Sequence, residues 1–229
     1  MMKFVGLMAL FCLILGSCSP DSPKLNPQIT ILNEKVVKDN DYQVFDPRVD
    51  ILFVVDNSGS MDSHQRNISA NIGRFISAFF SRVSIDYHIG VVSTDMDQSI
   101  YGKCCGRLIG NPSYIEVSTP DPATDLANRL ILGVNGSGTE KSFDPIIAAF
   151  SPPLEATVNQ GFLRPEAHLA VIFITDAEDQ STTSNVTLYN FLVKLKGKRE
   201  KVLGYGAIIP SGVPSATCPR DEATEPRFI

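Results

Sequence analysis

Asp56, Ser58 and Ser60 stand at alternate positions directly after Ile-Leu-Phe-Val-Val at 51–55, an apolar run rich in β-branched residues. One carboxylate and two hydroxyls gathered at such a place form a small cage of oxygen donors, which suits a hard cation such as Mg²⁺. The run before them reads as a buried strand. In an open α/β sheet, ligands collect where a strand's carboxyl end passes into a loop. Gly59 and the helical pattern beyond it also fit a plainer arrangement, a Ser/Gly turn that caps a helix. These residues alone leave both readings open.

A cage of this kind needs a sheet and helices to hold it. Residues 49–55 and 168–175 are the two strongest apolar runs, and 87–94 and 201–209 read as further strands. Residues 63–82 place Ile68, Ile72, Phe75, Ile76 and Phe79 on one helical face. Shorter helices are expected over 124–132 and 140–150. Leu188, Leu192 and Leu195 stripe another, which Gly197 is placed to end. Strands alternating with amphipathic helices predict a doubly wound α/β fold, a mostly parallel sheet with helices on both faces. Residues 28–45 alternate weakly, as an added strand would. Residues 98–122 are rich in Gly, Pro and Ser and read as loop or hairpin.

The 229 residues are 43% hydrophobic and 20% charged, enough apolar surface for one core. The formal net charge is −5 and there is no basic run, which speaks against nucleic acid as a partner. Residues 1–17 have the layout of a secretory leader: a positive start, an apolar stretch too short to span a bilayer comfortably, then small residues before Cys18. Leu-Gly-Ser-Cys at 15–18 resembles the lipobox of bacterial lipoproteins, which implies lipidation at Cys18. Residues 18–27 carry three prolines and read as a tether. The domain is expected over 28–229, with its core in 49–209. With Cys12 removed and Cys18 lipidated, Cys104, Cys105 and Cys218 remain. In an oxidising compartment, a disulfide from Cys104 or Cys105 to Cys218 is the expected pairing.

Asp56-x-Ser58-x-Ser60 matches the metal-ion-dependent adhesion site (MIDAS) of von Willebrand factor A (vWA) domains, and the chain resembles that family. Three stretches carry the likeness: Val49 through Met61, Tyr-His-Ile-Gly-Val-Val-Ser-Thr-Asp at 87–95, and Gly-Phe-Leu-Arg-Pro-Glu-Ala-His-Leu-Ala-Val-Ile-Phe-Ile-Thr-Asp at 161–176. Together they resemble a subset of bacterial secreted or lipid-anchored vWA proteins. The resemblance implies a metal site completed by Thr139, in the Gly-Ser-Gly-Thr loop at 136–139, and by Asp176 at the end of a later strand. It implies direct ligation by Ser58 and Ser60, ligation by Thr139 directly or through water, and Asp56 and Asp176 acting through water or behind the ligands. Taken alone, the Gly-Ser-Gly-Thr loop also reads as a helix cap.

The implied cofactor is Mg²⁺, with Mn²⁺ or Ca²⁺ as substitutes. The implied partner is a protein offering a carboxylate to the metal's open position, for adhesion or envelope assembly and without catalysis. The implied location is the bacterial envelope, anchored by lipid, with the non-acidic Ser19 favouring the outer membrane. A Mg²⁺-dependent phosphohydrolase and a structural module with an inactive site are the alternatives. The former wants a second carboxylate two residues after the nucleophile, where this chain has Ser58. Gln180 departs from the subset, which often carries cysteine there. His64, His88 and His168 are scattered and read as solvated or packing residues. A vWA domain usually closes with another helix; the tail 210–229 shows no such period, and a chain truncated at its C-terminus is the expectation.

Overall fold

The computed structural model describes residues 48–80, 85–97 and 103–208. The expected leader, the tether with Cys18, the added strand at 28–45, Cys218 and the tail from 210 lie outside the described residues.

Among the described residues, five strands form one sheet: β1 (Arg48–Val55), β2 (Asp86–Ser93), β3 (Ile115–Glu116), β4 (His168–Ile174) and β5 (Val202–Ile208). Their order is β3-β2-β1-β4-β5. β1 pairs in parallel with both β2 and β4, and β4 with β5, while β3 runs antiparallel to β2. This is an α/β, Rossmann-like sheet with helices on both faces. The four long strands stand within a residue or two of their expected bounds because each is a mostly apolar run, and β1 and β2 are buried on both sides along most of their length, the mark of a covered parallel strand. β3 is the hairpin-like piece of the Gly/Pro/Ser-rich segment.

The chain alternates faces along each strand. Leu52 and Val54 of β1, with Leu169, Val171 and Phe173 of β4, point into one core. There they meet α3 (Asp144–Ala149) and α4 (Asn185–Lys196) through Ile146, Ala149, Leu188 and Leu192. Ile51, Phe53, Val55 and Ile174 point the other way, onto Leu126 and Leu130 of α2 (Pro122–Leu130). Ile68 of α1 (Asp62–Phe80) packs against the same core. Burying each large apolar side chain contributes about 1.5–3 kcal/mol.

Helix ends are set locally. Asp121 caps α2 by accepting from the Thr124 N–H at 3.2 Å, and Ser184 caps α4 by accepting from Thr187 N–H at 3.1 Å. Gly197 ends α4 in the left-handed region at φ 70, where a glycine meets no Cβ penalty. The helix expected over 140–150 begins only at Asp144. Glu140 is instead bridged in extended form to Asp95, so a contact between distant segments overrides the local helical pattern.

Cys104 bonds to Cys105, its neighbour in sequence. This corrects the expected bridge to Cys218. The turn at 104–106, with Cys105 at φ 66 and Gly106 at φ 80, turns the two thiols toward each other.

Among the described residues, no helix is long and apolar enough to cross a membrane.

At the other end of β1 from Asp56 lies a buried charge network. Asp50 is wholly buried and accepts from Arg164 Nε at 2.8 Å, the Arg164 N–H at 2.8 Å and Lys196 Nζ at 3.0 Å. Arg164 continues to Asp86 at 2.7 Å. Burial pushes the Lys196 ammonium below its ordinary 10.5, with Asp50 opposing.

Candidate metal centre

β1 is the strand at which the sheet's order reverses: its neighbours β2 and β4 lie on opposite sides, and the carboxyl ends of β1 and β4 lie next to each other at this switch point. Asp56 directly follows β1 there. Its N–H still donates to Ile174 O at 2.8 Å, so the β1–β4 pairing continues one residue past the strand and fixes the carboxylate at the sheet's edge.

The Asp56 carboxylate is held on both oxygens. Oδ1 accepts from the Ser58 N–H at 2.8 Å, and Oδ2 from the Thr175 hydroxyl at 2.9 Å. The chain then enters a 3-10 turn at Gly59–Met61, pinned by the buried Met61 and by a Met61 N–H to Ser58 O bond of 3.3 Å. Gln65 Nε2, from the first turn of α1, donates to Asp56 O at 3.1 Å and ties the helix to the strand end. This turn aligns the two hydroxyls: Ser58 Oγ and Ser60 Oγ are 2.9 Å apart, and Ser60 donates to Asp176 Oδ1 at 3.0 Å.

Four of the five residues expected at the site are thus joined: Asp56, Ser58, Ser60 and Asp176. Thr139 belongs to the facing loop. It is half-buried, its N–H donates to Ser137 Oγ at 3.0 Å, and its hydroxyl makes no hydrogen bond to a described residue. That loop is latched to the serine turn by Gly136, whose N–H donates to Asn57 O at 2.8 Å. Asn57 is in turn fixed by the Ser93 hydroxyl at 2.6 Å.

Two residues enter that the sequence reading did not place here. Glu140 is buried in the loop that faces the serine turn, with its backbone bridged to Asp95. Its Oε2 accepts from Gln180 Nε2 at 2.9 Å. His64 Nε2 stands 3.6 Å from Asp176 Oδ2, so this histidine borders the site while remaining partly exposed. The signal for Glu140 was its place directly after Thr139. For His64 it was its place four residues past Ser60, one helical turn into α1. His88 has the packing role expected, with Nδ1 2.9 Å from Phe162 O and its ring 4.5 Å from that of Tyr114.

The electrostatics are those of a site short of positive charge. Burial pushes the Asp56 carboxyl above its ordinary 3.8; hydrogen bonds from Ser58 and Thr175 oppose this, and Asp176 adds to it. Burial likewise raises Glu140 above 4.5, with Asp56 and Asp176 adding. Asp176 is 2% exposed, yet its Oδ2 accepts no hydrogen bond. A buried carboxylate oxygen left in that state is costly unless a cation or donor meets it. Among the described residues, no group of three or more His, Cys, Asp or Glu forms a metal-holding cluster. The donors here are two carboxylates and two hydroxyls, an all-oxygen set that fits a hard divalent cation better than zinc or another thiol- and imidazole-seeking metal.

No family model matches the chain, and no curated protein matches it. Among solved structures it is similar to proximal thread matrix protein 1 from the mussel byssus. The form with a zinc-occupied MIDAS motif has 18% identity and a TM-score of 0.44, covering 79% of this chain and 42% of that one. Crystal form 2 of the same protein gives 17% identity and a TM-score of 0.42 over the same shares. The chain therefore spans less than half the length of the structures it is similar to.

Proposed function

We propose that this chain binds a divalent cation, Mg²⁺ first, through Asp56, Ser58, Ser60 and Asp176 with Thr139 in reach, and uses it to bind another protein. The observation that carries the reading is the convergence of the Asp56 and Asp176 carboxylates and two aligned serine hydroxyls at the sheet's switch point, with one buried Asp176 oxygen accepting no hydrogen bond. When bound, the cation supplies positive charge and a coordination position for an oxygen donor of the partner.

The chain's own residues do the positioning. Thr175 and the Ser58 N–H orient Asp56, and the 3-10 turn presents both hydroxyls on one side. The serine hydroxyls bond to each other and that of Ser60 to Asp176, an arrangement of oxygen donors suited to holding a cation, and binding is the reading these residues support best. A lipid at Cys18 would hold the protein at the bacterial envelope, and replacing Cys18 by Ser should then release it from membranes into the soluble fraction.

The test is thermal melting with Mg²⁺, Mn²⁺ or EDTA. A ligand that binds only the folded state adds about 2.7 kcal/mol at a hundredfold excess over Kd. The expected result is a Tm raised by metal in the wild type and unmoved in Asp56→Ala. A Tm indifferent to metal in the folded wild type overturns the reading. A pull-down from envelope extract, with Mg²⁺ and then with EDTA, tests the partner step: recovery equal in both removes the metal from recognition.

A further inference from the structure

Cys104 and Cys105 are bonded to each other, and the metal-binding reading makes no use of that bond. Their turn is wedged between two parts of the fold. On one side Gly106 is pressed against α3, where a Cβ would lie 2.7 Å from Ala149 N and from Pro145 O. The Gly106 carbonyl also accepts from Asn159 Nδ2 at 2.8 Å. On the other side the Cys105 N–H donates to Asp95 O at 2.9 Å, and Cys105 Sγ lies 3.5 Å from Met96 O.

Asp95 in turn holds the Thr139 loop on both flanks of Thr139. Its Oδ2 accepts from the Ser137 N–H at 3.3 Å, and its backbone bridges Glu140. Its own N–H donates to Ser93 Oγ at 2.9 Å, and that hydroxyl donates to Asn57 in the serine turn. One residue thus links the disulfide turn to both loops of the centre.

We propose that the Cys104–Cys105 disulfide is a redox switch on the metal centre, tight when oxidised and relaxed by a dithiol reductant. This rests on the metal-binding reading given above. Two observations support it: the run of contacts from Cys105 through Asp95 to the Thr139 loop, and the backbone of Cys105 itself. Cys105 stands at φ 66, in the left-handed region, which disfavours a residue with a Cβ. The bond to its neighbour helps to hold it there. Once the bond is broken, the turn is free to move to an ordinary φ, which swings the Cys105 N–H off Asp95 O. The Thr139 loop then loses a support, and a cation meets the full site only in molecules that keep the turn. Apparent affinity falls by that fraction.

The exchange balances as follows. A thiolate of the reductant attacks Cys105, the more exposed of the two residues, and the S–S bond breaks. Cys104 leaves as a thiolate and takes up a proton. The reductant's second thiol then displaces Cys105 from the mixed disulfide, so the protein gains two electrons and two protons and the reductant ends as a disulfide.

The experiment measures Mn²⁺ affinity of the full chain by calorimetry when oxidised, when reduced with a phosphine and after reoxidation, with peptide mapping of the bond in each state. Reduction is expected to weaken binding by about tenfold, the size of the cost of one left-handed non-glycine residue, and reoxidation to restore it. The double variant Cys104→Ser, Cys105→Ser is expected to bind as weakly as the reduced wild type, with or without reductant. Cys105→Gly, kept reduced, is expected to bind like the oxidised wild type, because glycine takes positive φ readily. Equal affinity in oxidised and reduced wild type overturns the switch and leaves the metal site standing. Cys105→Gly as weak as the double variant also overturns it, as does a double variant that still responds to reductant. No Mn²⁺ binding in any state removes both readings together. Circular dichroism checks each fold; should the double variant not fold, the wild-type states and Cys105→Gly decide.

Discussion

The Ser60 hydroxyl donates to Asp176 Oδ1 at 3.0 Å across 116 residues of sequence. The contact exists because β1 and β4 are sheet neighbours in register, Val55 against Ile174, so the residues just past both strands emerge side by side. Parallel pairing thus converts two distant loops into one site. The same pairing brings Thr175 to Asp56, and that contact is the first to test.

Thr175 donates to Asp56 Oδ2 at 2.9 Å, and its hydroxyl also accepts from the Ala177 N–H at 3.2 Å. Thr175→Val keeps the shape and removes both bonds. Leaving a buried acceptor without its donor costs about 1–3 kcal/mol. Chemical denaturation without metal should show a loss in that range. Saturating Mg²⁺ should recover part of it, since a cation near Asp56 takes over the role of the lost proton. A loss that metal does not touch would place Asp56 away from the cation.

What the sequence could reveal divides along local and distant contacts. β1 and β4 were legible because dense apolar runs rich in β-branched residues have few other uses, and Asp56 and Asp176 because each stands just past such a run. Glu140 was not legible. Its neighbours carry a helical pattern, and its position is decided by Asp95 and Gln180, which no local period records. Asp50 was hidden for the same reason: an acid inside an apolar strand makes sense only with Arg164 and Lys196, 114 and 146 residues away. The cysteine pairing failed on a simpler ground, since counting thiols cannot distinguish a bridge across the fold from one between neighbours.

Asp50 and Lys196 are both wholly buried and 3.0 Å apart. Removing one partner of a buried ion pair strands the other, at a cost of about 3–5 kcal/mol. Asp50→Ala leaves Lys196 without its acid and removes the acceptor of Arg164 Nε and of the Arg164 N–H, while the rest of the guanidinium stays on Asp86 and Val49 O. Its loss should fall in that range by urea denaturation. Lys196→Met leaves Asp50 still bonded twice by Arg164, and should cost clearly less. Equal losses would mean that Lys196, rather than Arg164, is the main counter-charge of Asp50.

Gly136 sets the distance between the two loops of the metal centre. A Cβ placed there would lie 2.5 Å from Asn57 Nδ2 and closer still to Oδ1. Asn57 is buried and bonded to Ser93, so it has no open direction in which to turn. Overpacking of this kind costs about 1–3 kcal/mol. Gly136→Ala should lower the Tm accordingly and weaken Mn²⁺ binding, because the Thr139–Glu140 segment is pushed from the serine turn. Gly138→Ala, where a Cβ would meet nothing within 4 Å, is the control and should leave the Tm close to that of wild type.

Asp144 provides a pH signature away from the centre. Burial alone would raise its carboxyl, but hydrogen bonds from Thr183 and Thr182 outweigh this and hold it below its ordinary 3.8. The Thr182 and Thr183 N–H groups both donate to it at 3.1 Å. A carboxyl depressed in the folded state favours folding at any pH above its unfolded value, where both states are ionised. As pH falls through the window between the two values, the unfolded chain takes up more protons and that contribution is lost. The stability difference between wild type and Asp144→Asn should therefore be full at about pH 6 and shrink below about pH 4, as the linkage requires. Paired urea midpoints over that range give the measurement. A difference that stays constant with pH would show that the charge of Asp144 contributes nothing.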